Sequence, residues 1–315
     1  MDTSIAHSEL KEIRVDQIDR NPENPRIVFR PSELETLMES IRRYGVQVPI
    51  SVFREGKRFV LIDGERRWRC SVKLNKIHIP ALIQEKPNPL TNLLLMFNIH
   101  ALREQWDLLT IALKLPRVID LLSKNGKAPT EKALAAETGL PRGLLRRCRL
   151  LMELPPKYRE DLLDELNRPK NQQKLTEDFF IEMERSLKTV ERAIPAAIDE
   201  KDRIRDVLIA KYKTGTIRSV TDFRNLAKIA RAEKVSVDAK SATTALRRVF
   251  QKNGYSVEQA YKDTVSEAYS ERDLLTRIES LIYKLDDLQP DSIDDSLRSA
   301  LATLAKRLSS ILRRQ

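Results

Sequence analysis

The chain has 315 residues, of which 41% are hydrophobic, 33% charged and 5% aromatic, with only 8 glycines. That length suits two or three domains, and so few glycines and aromatics exclude an all-β sandwich in favour of a mostly helical chain with much charged surface. The net charge of +11 points to a polyanionic partner, nucleic acid first, while two widely separated cysteines, Cys70 and Cys148, exclude a disulfide framework or a cysteine-based zinc site.

Residues 1–11 read as a loose polar arm without the apolar core of a signal peptide. Residues 12–88 mix strand and helix. "EIRV" is a short strand and "RNPENPRIVF" a proline-bearing loop. The helix over "SELETLMESIRRYG" has Ser32 as its expected N-cap, Glu35 at the capping-box position and Gly45 past its end. Leu34, Leu37, Met38 and Ile41 recur at helical spacing and form its apolar face. "VPISVF" and "RFVLI" are strands joined by a turn at Glu55-Gly56-Lys57.

The next stretch, "LIDGERRWRCSV", crowds Arg66, Arg67 and Arg69 into the opening of a helix. A helix start already carries partial positive charge, so arginines are disfavoured there unless they are solvated or share an anion with the free N–H groups. Cys70, in the middle of this helix, reads as a packed residue. The strand "IPALIQ" follows, with His78 just before it as a structural residue.

Residues 89–235 read as helical. Within them 130–151 has the form of a helix-turn-helix: Thr130 caps one helix, Gly139 makes a tight turn, and Pro141 starts a second helix at its first position. Leu140, Leu144 or Leu145, and Cys148 would anchor that helix. The residues expected to face DNA are Thr130, Arg142, Gly143, Arg146, Arg147 and Arg149, since arginine grips guanine edges and phosphates alike. Residues 236–265 read as a linker or additional helices.

Residues 266–315 form an apolar hairpin. Leu274, Leu275, Ile278, Leu281, Ile282, Leu285 and Leu288 make one stripe; Gln289-Pro290 breaks it, and Ser292 is the expected cap of the next helix. Leu297, Leu301, Leu304, Leu308 and Ile311 then recur in steps of four and three, a coiled-coil seam expected to pair with a second copy, the alternative being packing onto the chain's own helical core. Only three histidines occur, His7, His78 and His100, and no H-E-x-x-H, G-x-S-x-G or Walker lysine loop accompanies them. Hydrolytic triads and zinc catalysis therefore have no support. The most apolar stretch, residues 93–102, is too short to span a bilayer, so a cytoplasmic, DNA-associated protein without membrane contact is expected.

The stretches "NPENPR", "SIRRYGVQVPISV", "LIDGERRWRCSVKLNKIHIPALI" and the helix-turn-helix stand in the order found in ParB-type (ParB/RepB) plasmid or chromosome partition proteins, and over residues 12–155 the chain resembles that family. The resemblance implies an α+β chain: a small N-terminal α/β ParB-like nucleotide-binding domain, an all-helical helix-turn-helix domain and a C-terminal dimerising hairpin. It implies that Gly64, Glu65, Arg66, Arg67 and Arg69 receive the triphosphate of CTP, helped by Gly45, Val46, Gln47 and Pro49 of the "GVQVP" loop and by Arg26. Asn98 would serve Mg2+ and Arg103 the terminal phosphate. Where the family has a glutamate beside that asparagine this chain has Phe97, which offers magnesium no oxygen and puts CTP hydrolysis in question.

The implied function is a homodimer that reads a palindromic, centromere-like site in double-stranded DNA and closes as a clamp on binding CTP, with a ParA-type ATPase as partner. Two other functions fit the architecture. One is a transcriptional regulator without nucleotide switching. The other is a nuclease or nucleotide-dependent enzyme on the same N-terminal fold, which would need an acidic metal cluster.

Overall fold

A computed structural model describes residues 8–24, 28–97, 107–288 and 293–313. It divides into two compact units, residues 1–186 and 187–315. The first opens with a five-stranded mixed sheet, built from β1 (Glu9–Arg14), β2 (Ile18–Asp19), β3 (Ile50–Glu55), β4 (Arg58–Asp63) and β5 (His78–Gln84), in the order β1-β5-β3-β4-β2. β1–β5 and β3–β4 are antiparallel; β3–β5 and β2–β4 are parallel. Strand alternation sends Ile50, Val52, Phe59 and Leu61 to one face, in a core with Ile13, Val15, Ile18, Ile79 and Ala81. Phe53, Val60 and Ile62 cluster on the other.

Helices α1 (Pro31–Tyr44) and α2 (Glu65–Lys73) pack on each other. Leu34, Ile41 and Cys70 are buried between them, with Leu37 and Met38 half-buried. The Cys70 thiol donates to the Leu34 carbonyl, and burial pushes its pKa up, as suits a packed, unreactive residue.

Several local expectations are corrected. Glu9–Lys11, expected to belong to a loose arm, pair in β1 against β5. The N-cap of α1 is Arg30, not Ser32, and no side chain caps it: Pro31 starts the helix two residues earlier than expected, where its missing N–H costs nothing. Gly45 closes α1 with φ 74°, as expected. His78 is the first, exposed residue of β5, not the residue before it.

Helices α3 (Pro89–Met96), α4 (Leu108–Lys124), α5 (Glu131–Thr138), α6 (Arg142–Met152) and α7 (Pro156–Asn167) complete the first unit, and α8 (Glu177–Ala193) contains the boundary. Phe97, at the C-cap of α3, is fully buried. α4 supplies the apolar surface, including Ile111, Leu115 and Val118, in the layer against which α6 packs.

In the second unit, α9 (Lys201–Lys213), α10 (Phe223–Ile229), α11 (Ala239–Gln251) and α12 (Val257–Thr264) pack together, so residues 239–264 are largely helical. Lys211 is buried there, donating to the Val249 and Tyr255 carbonyls, and its pKa falls to about 8 because burial penalises the ammonium. α13 (Ser266–Asp286) and α14 (Asp295–Leu312) contain no buried residue among those described. Asp294, not Ser292, caps α14, accepting from Leu297 N–H at 2.7 Å; Gln289, Pro290 and Ser292 lie outside the described residues.

Candidate functional site

α2 starts at Gly64, which has φ 96° and gives the first turn no side-chain cap. A Cβ here would lie 2.6 Å from Cγ2 of Ile50, so close packing on β3 requires glycine as much as an approaching anion would. The three arginines that follow all have protein partners. Arg67 donates through Nη1 to the carbonyls of Val48 (2.6 Å) and Pro49 (2.7 Å), and through Nη2 to Asp63 (3.1 Å). It thereby ties the Gly45–Pro49 loop to the helix start. Arg69 reaches back one turn to Glu65 (2.7 and 2.9 Å) and lays its guanidinium over Phe29, 3.9 Å from the ring centroid. Arg66 is held most weakly, with Nη2 3.3 Å from the Glu33 carbonyl and 3.4 Å from its carboxylate.

Glu65 is almost fully buried and accepts from Arg20 (2.9 Å) and Asn24 (2.6 Å) as well as Arg69. An acid in the first turn suits the helix dipole, and here it also pins the "NPEN" loop. Within the loop, Val46 packs against the cores on both sides of α2 and Gln47 donates to the Tyr44 carbonyl. The structure thus brings Gly45–Pro49 and Gly64–Arg67 together and turns Arg69 toward Phe29. Arg26, Asn98, His100 and Arg103 lie outside the described residues, among which no group of three or more His, Cys, Asp or Glu could hold a metal ion. The partners Arg20, Asn24, Phe29, Glu33 and Asp63 were missed in the sequence; only Asp63–Arg67 and Glu65–Arg69 carry a local signal, the i,i+4 spacing.

The second cluster lies on α5 and α6. The Thr130 hydroxyl accepts from Ala133 N–H (3.1 Å), and Gly139 ends α5 with φ 72°. Pro141 is the N-cap of α6 rather than its first residue. Leu140, Leu145 and Cys148 are buried while Leu144 is half-buried, which leaves Arg142, Gly143, Arg146 and Arg149 on the outer face. Those arginines converge on one acid. Arg142 Nε lies 2.7 Å from Glu131 Oε1, Arg146 Nη2 lies 3.0 Å from the same oxygen, and Arg149 Nη1 is 4.0 Å from Oε2. Hydrogen bonds from Arg146 and Arg142 hold the Glu131 carboxyl down to about 2. Arg147 points elsewhere, to Asp178 on α8.

The floor beneath α6 contains an unusual acid. The N-cap of α4, Asp107, makes no capping bond of its own but accepts from Arg30, whose Nε reaches the Leu166 carbonyl at 3.1 Å. The cap comes instead from Glu177, which accepts from Leu109 N–H at 2.6 Å. Burial pushes the Glu177 carboxyl up to about 7; Asp107 and Asp178 push it the same way, against the Leu109 N–H and Arg147. A folded-state pKa above the ordinary 4.5 means that the folded protein binds the proton more tightly than the unfolded chain. The resulting stability is complete below about pH 4.5 and is lost as pH rises through 7. Glu177→Gln keeps an acceptor for Leu109 without the charge. It should therefore raise stability at about pH 8, by at most about 3 kcal/mol at 1.36 kcal/mol per unit, with the gain vanishing near pH 4.5. Urea unfolding at the two pH values measures this, and equal stabilities at pH 8 would refute the placement of the charge.

Residues 1–98 match the family model of the ParB N-terminal domain. Residue identity agrees: 42% over 88 residues with a probable chromosome-partitioning protein ParB of Campylobacter jejuni, covering 28% of this chain and 32% of that one. Residues 1–98 are therefore similar to the ParB N-terminal domain. A nucleoid occlusion protein of Geobacillus kaustophilus is 31% identical over 165 residues, 52% of this chain and 56% of its own length. The chain spans about half or less of the length of the curated relatives it matches. Among solved structures, the C-terminally truncated ParB of Caulobacter crescentus complexed to the centromeric parS site aligns at TM-score 0.42 and 21% identity, covering 70% of this chain and 98% of that one. The domain match ends at residue 98, so it takes in the α2 site but not α5 and α6. No helix among the described residues is long and apolar enough to cross a membrane.

Proposed function

We propose that this ParB-type protein binds a palindromic site in double-stranded DNA through α6, as a homodimer joined by α13 and α14, and holds CTP at the start of α2. The observation that carries the DNA reading is the outer face of α6, with Arg142, Arg146 and Arg149 exposed on a helix whose other face is buried in the first unit. Phosphate attraction gives such a face affinity, and the guanidinium forks give it base selectivity. The names of the relatives, chromosome partitioning and nucleoid occlusion, agree with a protein that acts on DNA. Dimerisation is supported by the apolar residues left exposed on the last two helices, among them Leu274, Leu275, Ile282 and Ile311.

The nucleotide reading rests on the uncapped first turn of α2 beside Arg66, and the choice of cytosine on the family resemblance alone. Residues 98–106 would complete the phosphate and Mg2+ contacts, and a ParA-type ATPase is the partner the family implies. Arg66 is the arginine with the least to give up. Arg67 would have to release the Val48 and Pro49 carbonyls first, which would free the Gly45–Pro49 loop. Each charge-assisted hydrogen bond to phosphate is worth roughly tenfold or more, so Arg66→Ala should weaken CTP binding about 10- to 100-fold in isothermal titration. No CTP binding at millimolar concentration, with or without DNA, would remove the clamp. What would remain is a second reading, a regulator without nucleotide switching, which the occupied state of Arg67 and Arg69 favours. Hydrolysis is not part of this proposal: Phe97 is a core residue, and a glutamate there would place a charge among apolar side chains.

A further inference from the structure

We propose that Glu131 is the positioning residue that sets the DNA selectivity of α6: its carboxylate holds Arg142 and Arg146 in one arrangement and withholds them from phosphates that do not compensate for its loss. The inference rests on the assignment of α6 to DNA. It starts from an arrangement that the function does not itself require. Arg142 and Arg146 lie one turn apart on α6, where like charges at that spacing repel. Glu131 comes from a different helix and stands between them, with Arg142 Nε at 2.7 Å and Arg146 Nη2 at 3.0 Å from one oxygen and Arg146 Nε at 3.2 Å from both.

The acid is fixed better than the arginines it holds. It is the first residue of α5, directly after the Thr130 cap, where the helix dipole favours a negative charge. Its side chain is 17% exposed, against 59% for Arg142 and 64% for Arg146. Two full contacts and the longer one from Arg149 set three positive charges against a single negative one, so the face remains strongly basic. Glu131 therefore does not cancel attraction to DNA. It restricts where the guanidinium groups sit and gives them a competing partner.

A backbone phosphate offers the arginines one anion in exchange for another. A guanine edge at the correct position offers a bidentate acceptor in addition to the phosphates around it. Competition with Glu131 thus penalises random sequence more than a cognate site. Removing the carboxylate should raise affinity for random duplex, steepen its salt dependence by about one in the log–log slope, and leave the cognate site less changed.

The test uses the full-length protein and two probes: a palindromic duplex selected by the wild-type protein from a randomised pool, and a random-sequence duplex of equal length. Fluorescence anisotropy across a salt series gives both affinities for the wild type, Glu131→Gln, Arg142→Ala/Arg146→Ala and the triple variant. Glu131→Gln is expected to tighten random-duplex binding about tenfold and to lower the ratio of cognate to random affinity by a similar factor. The triple variant should match the double variant, because the effect of Glu131 runs through those two arginines; a residue that merely stabilised α5 would act in both backgrounds. An unchanged ratio in Glu131→Gln, with the arginine variant weakened, overturns the role of Glu131 and leaves α6 as the DNA helix. An arginine variant that binds both duplexes like the wild type removes the α6 assignment itself. Thermal unfolding of Glu131→Gln guards against loss of the fold, and Glu131→Ala, which also lacks the carboxylate, should reproduce the selectivity loss.

Discussion

Arg146→Ala combined with Arg147→Ala should abolish site-specific DNA binding while leaving the protein folded. Both residues lie on α6 outside its buried stripe of Leu145, Cys148 and Leu151, so truncation opens no cavity in the core. Each lost base contact costs roughly 10- to 100-fold in affinity, and each lost phosphate contact lowers the salt slope by about one. Their present partners make the effect larger. Without Arg146, Glu131 keeps only Arg142 and the distant Arg149, and its carboxylate then faces the DNA less well neutralised. Without Arg147, the exposed Asp178 loses its cation and adds a second negative charge nearby. A titration of the selected palindrome against random duplex measures the outcome. If discrimination between the two survives in the double variant, α6 is not the recognition helix.

A chain ending after Arg272 should behave as a monomer and bind the palindrome more weakly by about 10²- to 10⁴-fold, the range over which two linked half-sites gain from effective concentration. The position of the cut follows from the packing of the second unit. Val265 is fully buried, the Tyr269 hydroxyl bonds the Lys228 carbonyl, and Arg272 bonds that of Lys234, so an earlier end would damage that unit. Beyond Arg272, the apolar residues of α13 and α14 are half-buried or exposed, with Leu274 59% and Ile311 65% accessible. The apolar area they would bury in a pair favours association. Light scattering of the shortened chain decides the point; a dimer that persists places the interface elsewhere.

Side-chain contacts run from the start of α2 to the helix that carries α6. Glu65, at the start of α2, holds Asn24 and Arg20, and the same loop is fastened to α4 by Lys114 on the Pro22 carbonyl (3.2 Å) and Arg117 on Glu23 (3.3 Å). α4 is the helix on which α6 packs. The start of α2 is thus joined to the layer under α6 by charged contacts as well as apolar ones.

Whatever depends on neighbours along the chain was legible in the order of the amino acids. The helical period of Leu34, Leu37, Met38 and Ile41 specifies which face of α1 is buried, because burial follows the repeat of the backbone, and the unbroken apolar run of "RFVLI" suits a strand covered on both faces. Thr130 as a cap and Gly45 and Gly139 as helix ends follow from hydrogen bonding and positive φ within a single turn. The errors at Ser32, Pro141 and Ser292 are of the same local kind: a neighbouring residue could fill the cap position as well, and the helix moved by one or two residues. The sequence also raised the right question at Arg66, Arg67 and Arg69 without being able to answer it. Where those charges go is a property of the folded chain. Arg67 meets carbonyls eighteen and nineteen positions earlier, Glu65 meets Arg20 forty-five positions away, and Arg146 meets Glu131 across a turn. Helical spacing makes charged groups neighbours only three or four residues apart; beyond that, folding alone brings them within the few ångströms at which a carboxylate and a guanidinium bind each other instead of water or a ligand.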